Sequence, residues 1–199
     1  IPSYYGPQLL PHFVTQNLEQ GYMREFISRA FFEASLDEVR NSEQFVNDYP
    51  EFSNPSEFEN LSEHESDNWE WHNSSKNVEG RIWGGCLEII RWWLETEVFM
   101  PEESELEGSV LLLETSGDMP SKDYVRWFLR NMGARGLLQK FSALLVGRPK
   151  IDPENGKYNA DSQNYGNNQR EAIKSVVDEY CPETPVVFNL DFGHTSPTF

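Results

Sequence analysis

Two buried strands of the sequence end in side chains that could act together in acid–base chemistry. The stretch VLLLE places Glu114 directly after four apolar residues, and VVFNLDFGH places His194 after Gly193. In α/β proteins, the carboxyl ends of buried strands lie at the edge of the sheet where ligand crevices open. A carboxylate beside a histidine fixes the tautomer and stabilises the imidazolium, so the pair indicates an oriented general base. The alternative is that Glu114 caps a loop and that His194 is an ordinary surface residue.

A general base of this kind serves a nucleophile, and the sequence offers no clear one. It contains no G-x-S-x-G nucleophile elbow. Ser116 and Ser196 lie close in sequence to Glu114 and His194, but their positions favour simple turns. Cys86 begins a predicted helix, which would lower the pKa of its thiol. No other feature marks Cys86 as a nucleophile.

A polar segment at residues 41–79 contains histidines and tryptophans. The acidic neighbours of the histidines are Glu63, Glu65 and Asp67. The spacing of these carboxylates around His64 and His72 matches no compact ligand pattern, so we expect a solvated loop and no metal site. Trp69 and Trp71 could stack on a ring, although aromatic side chains that anchor a linker against its own domain are commoner.

Charge and cysteine content exclude several classes of function. The 199 residues include 33 acidic and 16 basic side chains, which gives a net charge of -17. Nucleic acids and anionic membranes require basic residues on the protein, so we expect neither as a partner. Cys86 and Cys181 are too few for a disulfide framework or a zinc site. With no apolar run of about 18 residues and no signal peptide, the sequence favours a cytoplasmic protein with reduced thiols.

The elements that must position Glu114 and His194 follow from the hydrophobic pattern. Strands and helices alternate after residue 80, which predicts an α/β domain with a parallel or mixed sheet. The predicted strands are 81–83, 109–115, 142–149 and 185–191. Helices are predicted near 17–35, from Cys86 onward, from Ser121 to Gly133, and around Ala172–Tyr180. The segments predicted to be irregular are 1–15, 41–79 and 151–168.

A pair of glycines separates the first of these strands from its helix. Gly84 and Gly85 lie in the stretch RIWGGCLEIIRWWLET. Paired glycines at such a junction indicate that the backbone comes close to another group. That group is a ligand, another strand or a second domain, and the local sequence leaves all three open.

Four separated motifs together resemble one known family. EGRIWGGCLEIIRWWLET, GSVLLLETSGD, LLVGRP and LDFGHTSPTF are similar, in this order, to the C-terminal half of the LD-carboxypeptidases. This family includes murein tetrapeptide carboxypeptidases and microcin C self-immunity peptidases. The opening YYGPQLLPHF is similar to the family segment that follows the nucleophile domain.

The resemblance implies a fold and a catalytic arrangement. Residues 80–199 would form a swivelling β/β/α-type domain with a mixed sheet and flanking helices. Residues 1–40 would be the tail of an N-terminal nucleophile domain that this chain lacks, and 41–79 would be the interdomain connection. The family uses a Ser-Glu-His triad without a cofactor, and its motifs match Glu114 and His194. The serine would lie in the missing domain, so the chain alone would be inactive, and the complete enzyme would be a homodimer.

The resemblance also implies substrates and a set of substrate-binding residues. A murein tetrapeptide and a microcin C-like peptidyl-nucleotide are the two expected substrates, and a base could stack on Trp69. We expect the backbone at Gly84, Gly85 and Cys86 to hold the terminal carboxylate, or else to serve packing alone. Cys86 replaces the usual family Asn, and Thr115 replaces a frequent Asp. The alternative function is a non-catalytic peptide-binding or interaction domain that has retained the fold.

Overall fold

The computed structural model describes residues 20–33, 38–47, 53–59, 61–151 and 160–198. The helices in these ranges are α1 (Gln20–Ser28), α2 (Leu87–Thr96), α3 (Glu103–Leu106), α4 (Lys122–Ala134) and α5 (Ala160–Tyr180). The strands are β1 (Gln44–Val46), β2 (Glu63–Glu65), β3 (Glu70–His72), β4 (Ile82–Cys86), β5 (Val110–Glu114), β6 (Ala143–Gly147) and β7 (Val186–Leu190). Short helical turns occur at Arg29–Glu33, Pro55–Glu59 and Leu138–Lys140.

Five strands form one mixed sheet in the order β3-β7-β6-β5-β4. Strands β4 to β7 are parallel to one another, and β3 pairs antiparallel with β7. Strands β1 and β2 form a separate antiparallel pair. The prediction of an α/β domain with a mixed sheet and flanking helices is therefore confirmed.

The order of the parallel strands determines where the helices lie. Each strand from β4 to β7 is followed in the sheet by the next one in the chain. Because strand–helix–strand crossovers are right-handed, α2, α4 and α5 all cover the same face of the sheet. Their apolar residues join those of the strands in one buried cluster that includes Leu87, Leu111, Leu113, Leu129 and Val177.

The opposite face of the sheet carries a smaller apolar cluster. Its buried members are Leu112, Val187, Leu190 and Phe192, and Trp69 packs against them. Leu112 alternates with Leu111 and Leu113 along β5, as expected of a strand that is covered on both faces. Both faces must be covered because every residue of β5 is buried.

The predicted loop at 41–79 is wrong where β1, β2 and β3 form. Strand β3 adds to the edge of the main sheet at β7. Ion pairs from Arg170 and Lys174 on α5 to Glu70 stabilise it there. A strand of three residues has too short a pattern to be recognised from sequence, and the residues of these ion pairs are 100 or more positions apart. Whether 1–40, 41–79 and 80–199 are separate domains stays a prediction.

The predicted loop at 151–168 is wrong from residue 160 onward, where α5 has already begun. Its first turns are polar, but two of their side chains bond to one distant carbonyl. The Tyr165 hydroxyl donates to Pro120 O at 3.0 Å, and Gln169 Nε2 donates to the same oxygen at 2.6 Å. These tertiary contacts stabilise helical turns that lack an apolar stripe. Residues 152–159 lie outside the described chain.

Three smaller boundaries also differ from the predictions. Strand β4 runs through both glycines to Cys86, whereas a strand at 81–83 was expected. Helix α4 includes Gly133 and ends at Ala134. The helix expected near 17–35 is α-helical over Gln20–Ser28 and continues as a π-helical turn. The opening segment similar to the family, residues 4–13, lies outside the described chain. None of the described helices is long and apolar enough to cross a membrane.

Candidate functional site

The carboxyl ends of β5 and β7 place two side chains in contact. Glu114 is the last residue of β5, and His194 lies in the loop directly after β7. These strands are parallel and separated by β6, so their carboxyl ends share one edge of the sheet. Glu114 Oε2 lies 2.7 Å from His194 Nδ1. The two residues chosen from the strand ends are therefore hydrogen-bonded partners.

The burial of the pair suits general-base chemistry. Glu114 is 6% exposed, and the side chain of His194 is 33% exposed. An ionised carboxylate only accepts hydrogen bonds, so Nδ1–H donates to Glu114 and the neutral ring keeps its free electron pair on Nε2. An imidazole held in this tautomer can take a proton at Nε2 from a nucleophile that lies beside it.

The surroundings of His194 raise its pKa above the ordinary value. The largest cause is the hydrogen bond to Glu114, and burial of the ring opposes it. The Glu114 and Glu88 carboxylates raise the pKa further, whereas the Lys150 ammonium lowers it. The histidine is thus a stronger base than a free imidazole. Neither Glu88 nor Lys150 was predicted from the sequence to lie near this pair.

Gly193 allows the His194 loop to pass close to Glu114. Its φ is 102°, a region that favours glycine. A Cβ atom at this position would lie 2.9 Å from Glu114 Cβ and 3.0 Å from Glu114 Oε2. Any side chain here would therefore push the loop away from the carboxylate. The glycine before the histidine in DFGH was the sequence signal for this contact.

Cys86 lies beside Glu114 but is not an activated thiol. The two residues are register partners in the β4–β5 ladder. Burial and the carboxylates of Glu114 and Glu88 raise the pKa of Cys86 to about 12, and its Sγ donates to Glu88 Oε2 at 3.2 Å. The expectation that the helix start lowers this pKa is therefore wrong. Desolvation and two anions outweigh the dipole of a single helix.

Glu88 also holds the turn that follows Glu114. Its carboxylate accepts the Ser116 hydroxyl at 2.8 Å and the Ser116 backbone N–H at 3.3 Å. Ser116 is therefore occupied by a turn contact, as its position suggested. In the sequence, Glu88 was hidden among the polar residues of an amphipathic helix.

The two glycines of β4 have different surroundings. Gly84 has a φ of 141°, and a Cβ atom there would lie 1.9 Å from Leu112 O on the neighbouring strand. Gly85 has a φ of 139°, and a Cβ atom there would meet no atom within 4 Å. Strand β4 is the last in the order of the sheet. Of the explanations left open for the pair, close approach to a strand therefore accounts for Gly84, while Gly85 faces open space.

The two tryptophans of residues 41–79 lie at the sheet face opposite the helices. Trp69 is half-buried against the cluster around Phe192, and its ring centroid is 6.5 Å from that of Trp71. Trp69 Nε1 has no hydrogen-bond partner within the described residues. Trp71 is 57% exposed. The packing of Trp69 matches the anchoring alternative given for it.

The histidines of residues 41–79 take part in local contacts. His72 Nε2 lies 2.7 Å from Asp178 Oδ1, and the His64 ring packs 5.4 Å from that of Phe45. Within the ranges that the structure describes, no group of three or more His, Cys, Asp or Glu residues could hold a metal ion. His12 lies outside those ranges.

Known proteins resemble this chain both in the sequence of its C-terminal part and in its fold. The family model of the LD-carboxypeptidase C-terminal domain matches residues 79–199. Among curated proteins no match is found. The resemblance stated from the four motifs is thus confirmed by an independent comparison.

Solved structures with the same fold extend over almost the whole chain. An MccF-like protein from Streptococcus pneumoniae in complex with AMP is 23% identical with a TM-score of 0.77, covering 98% of this chain and 56% of its own. Microcin C7 self immunity protein MccF in complex with aspartyl sulfamoyl adenosine is 20% identical with a TM-score of 0.71, at 98% and 54% coverage. An MccF-like protein from Bacillus anthracis str. Ames is 17% identical with a TM-score of 0.65, at 93% and 50% coverage. The chain therefore spans about half the length of these structures.

Proposed function

The chain belongs to the LD-carboxypeptidase family, and from this membership we propose that it is the C-terminal part of a serine carboxypeptidase. In this proposal a Ser-Glu-His triad takes Glu114 and His194 from this chain and its serine from an N-terminal domain. The 2.7 Å contact between the carboxylate and the imidazole is the observation that carries the proposal. The partial coverage of the solved structures supports a further domain in the complete enzyme.

The two residues have distinct roles in the proposed reaction. His194 Nε2 takes the proton of the serine as it attacks the peptide carbonyl, and then donates it to the departing amine. Glu114 holds the ring in the tautomer that leaves Nε2 free, and its charge stabilises the imidazolium. The raised pKa of His194 supports the first of these transfers because the ring accepts a proton more readily. The proton passes through His194 alone and is not transferred to Glu114.

The substrate is a peptide that loses its C-terminal residue. We propose a murein tetrapeptide or a peptidyl-nucleotide, as the family resemblance implies. Two MccF-type neighbours contain AMP or aspartyl sulfamoyl adenosine, which favours the peptidyl-nucleotide for this chain. Trp69 is the proposed stacking residue for the base, through the part of its ring that the apolar cluster leaves exposed.

The backbone of β4 is the proposed site for the terminal carboxylate. Gly85 faces open space one residue before Cys86, the register partner of Glu114. Backbone N–H groups at the end of a strand and the start of a helix favour an anion. Cys86 replaces the usual family Asn and donates to Glu88, so we assign it a contact through its backbone rather than its thiol.

Two substitutions in the complete enzyme test the triad. Glu114→Gln retains the shape of the side chain but removes its charge, and we expect kcat to fall by about 10⁴-fold, as for the equivalent change in serine proteases. His194→Ala should abolish the general base and lower kcat at least as much. Glu183→Gln, an exposed carboxylate in a distant turn, is the matched control and should leave kcat unchanged. Equal activity of Glu114→Gln and Glu183→Gln would refute the proposed role.

The same measurements separate the enzyme from the alternative function. If the chain is a non-catalytic peptide-binding domain, calorimetry should detect its binding of a murein tetrapeptide or AMP. His194→Ala should then leave any turnover by the complete protein unchanged. The presence of Cys86 at the family Asn position is the observation that favours this alternative. The Glu114–His194 contact favours the enzyme, since peptide binding alone requires no oriented base. We expect the chain alone to show no peptidase turnover.

The family resemblance also implies a cytoplasmic homodimer, which we include in the proposal. Exposed apolar side chains on α2 and α4, Trp92 and Trp127, support an association between copies. Light scattering of the complete enzyme should give twice the mass of one chain. A monomer at micromolar concentration would remove this part of the proposal without affecting the triad.

A further inference from the structure

The loop that carries His194 is held at both ends by one distant segment of the chain. We call residues 42–46 the clamp segment. Ser42 contacts Asp191 at the start of the loop, and Val46 pairs with Ser196 at its end. The clamp segment lies outside residues 79–199, the part that matches the family model. The loop is therefore fixed by residues that the family domain does not include.

Asp191 is the anchor at the start of the loop. It is fully buried, and its carboxylate accepts the Ser42 backbone N–H and the Ser42 hydroxyl, each at 2.8 Å. The Tyr22 hydroxyl on α1 lies 3.1 Å from the same carboxylate. A buried anion needs several donors to offset its desolvation. Two of the elements that supply them precede the family domain.

Arg148 completes the anchor from the end of β6. Its Nη1 donates to Asp191 Oδ1 at 2.6 Å, and its Nη2 donates to Asn189 O at 3.4 Å. The guanidinium lies 4.5 Å from the centre of the Phe45 ring, which belongs to the clamp segment. The clamp segment thus covers the ion pair as well as bonding to it.

Val46 and Ser196 form the anchor at the end of the loop. The Val46 N–H donates to Ser196 O at 2.7 Å, and the Ser196 N–H donates to Val46 O at 3.1 Å. This reciprocal pair is an antiparallel bridge between the clamp segment and the chain just after the histidine. Both residues are buried, so water does not compete for these bonds.

We propose that the clamp segment positions His194 against Glu114 in the active site. With Asp191 and Ser196 fixed, the short chain between them has little freedom, and Gly193 brings it against the carboxylate. Ser42 bonds to Asp191 and Ser66 rather than to Glu114 or His194, so it is a positioning residue. The proposal rests on the proposed function for its catalytic meaning, but the placement of the imidazole can be measured without substrate.

The test is an NMR titration of His194 in the full chain. The sequence has four histidines, and His194→Gln identifies the resonance. In Ser42→Ala the hydroxyl bond to Asp191 is lost, the loop loosens, and the pKa of His194 should fall by roughly half a unit as its bond to Glu114 weakens. The matched control is Ser109→Ala. Ser109 is equally buried, and its hydroxyl donates to Leu106 O at 2.6 Å. It precedes β5, so it lies at the amino ends of the parallel strands, opposite to the ends that carry Glu114 and His194.

The outcomes separate positioning from a general loss of stability. Ser109→Ala should leave the pKa of His194 unchanged, and Ser42→Thr, which restores a hydroxyl, should return it towards the parent value. A second variant, Tyr22→Phe, removes one donor and keeps the ring in its apolar cluster, so it should lower the pKa less than Ser42→Ala. An unchanged pKa in Ser42→Ala, or equal falls in Ser42→Ala and Ser109→Ala, overturns the proposal.

Kinetics of the complete enzyme provide a second measurement. Because the proposal assigns the clamp segment to the histidine loop and not to substrate binding, Ser42→Ala should lower kcat by about 10-fold with KM unchanged. A rise in KM alone would overturn the positioning role. If the titration shows the expected fall while Glu114→Gln leaves turnover intact, the clamp stands and the proposed triad fails, so the two failures are distinguishable.

Discussion

The His194 loop has two neighbours that differ in how they are built. On one side is β5, a strand of apolar residues that ends in Glu114. On the other side is the clamp segment, with the polar Ser42 and the three-residue strand β1. The first neighbour supplies the partner of the imidazole, and the second fixes the backbone that carries it. Both members of the pair thus lie within the part that matches the family model, whereas the clamp segment that holds the loop lies outside it.

This difference shows that the contact and its support obey different physical rules. Glu114 is held by β5, whose apolar residues are buried in the sheet whether or not the carboxylate has its partners. Its position should therefore tolerate substitutions in the His194 loop. The Asp191 network has no such redundancy, because each donor offsets part of the desolvation of one buried charge. We therefore expect the two sides to respond differently to substitution.

The largest expected effect is on the clamp side. Asp191→Asn removes the charge that neutralises the buried Arg148, and loss of one partner of a buried ion pair costs about 3–5 kcal/mol. Urea denaturation of the full chain should show this as a lower midpoint with an unchanged slope. Asp118→Asn, at an exposed position in the turn after Glu114, is the control and should change stability by less than about 0.5 kcal/mol.

A small loss in Asp191→Asn would break the comparison. It would mean that Arg148 finds other acceptors, such as Asn189 O, once the carboxylate is gone. The loop would then be supported from within the family domain, and the clamp segment would contribute packing alone.

The two neighbours also differ in how far sequence reveals them. Glu114 was selected because an apolar run that ends in a carboxylate marks the end of a buried strand. His194 was selected because it, too, is a polar side chain that follows a buried strand. Ser42 and Val46 lie in a polar stretch with no period, and their role depends on contacts to Asp191 and Ser196 about 150 residues away. No local pattern reports such contacts, which is also why β3 was taken for loop.

Electrostatics explains the failure at Cys86. A helix start predicts a lowered thiol pKa, but the pairing of β4 with β5 places the thiol beside Glu114, and Glu88 is two residues away. The order of the strands in the sheet was needed to see this, and the sequence predicted the strands and a mixed sheet but not that order. The fold class therefore followed from periodicity, whereas the environment of each site residue required the register.

The second largest effect should be at the contact between the two sides. Gly193→Ala adds a methyl group 2.9 Å from Glu114 Cβ in a backbone region that disfavours alanine, and we expect a loss of about 2–4 kcal/mol. Gly136→Ala is the matched control. Its φ is 74°, with no atom within 4 Å of the added methyl group, so it should cost only the backbone strain of about 1–2 kcal/mol.

The comparison is sharpened by measuring the imidazole as well. Gly193→Ala should lower the pKa of His194, since the loop must move away from the carboxylate, and Gly136→Ala should leave it unchanged. Equal stabilities of the two variants would show that the loop moves away from Glu114 at no cost in free energy. That result would contradict a loop that is clamped at both ends.

A smaller effect should appear in the pH dependence of stability. Because folding raises the pKa of His194, its stabilising contribution is present below the ordinary histidine pKa of about 6.5 and is lost as the pH rises through the folded-state value. Glu114→Gln removes the main cause of the raised pKa and leaves the burial that lowers it. Its stability should therefore fall relative to the parent chain as the pH drops from 8 to 5.5, measured by urea denaturation.

An exposed histidine pair provides the control for this pH effect. His72 and Asp178 are also 2.7 Å apart, but the Asp178 side chain is 53% exposed. Surface pairs contribute about 0–1 kcal/mol, so Asp178→Asn should reproduce little of the change. Identical pH profiles for Asp178→Asn and Glu114→Gln would show that burial does not strengthen the site pair.

The smallest effect on stability should be at β4, where we expect a substitution to change substrate binding more than folding. Gly85→Ala adds a methyl group to open space, so apart from backbone strain it should disturb the fold little. Gly108→Ala, with a φ of 73° and an equally open surrounding before the start of β5, is the control and should likewise cost only backbone strain. If the terminal carboxylate binds the β4 backbone, the methyl group at Gly85 blocks its approach and raises KM several-fold, whereas Gly108→Ala leaves KM unchanged. An unchanged KM in Gly85→Ala would assign both glycines to the backbone of the sheet and leave the carboxylate to be held from the proposed N-terminal domain.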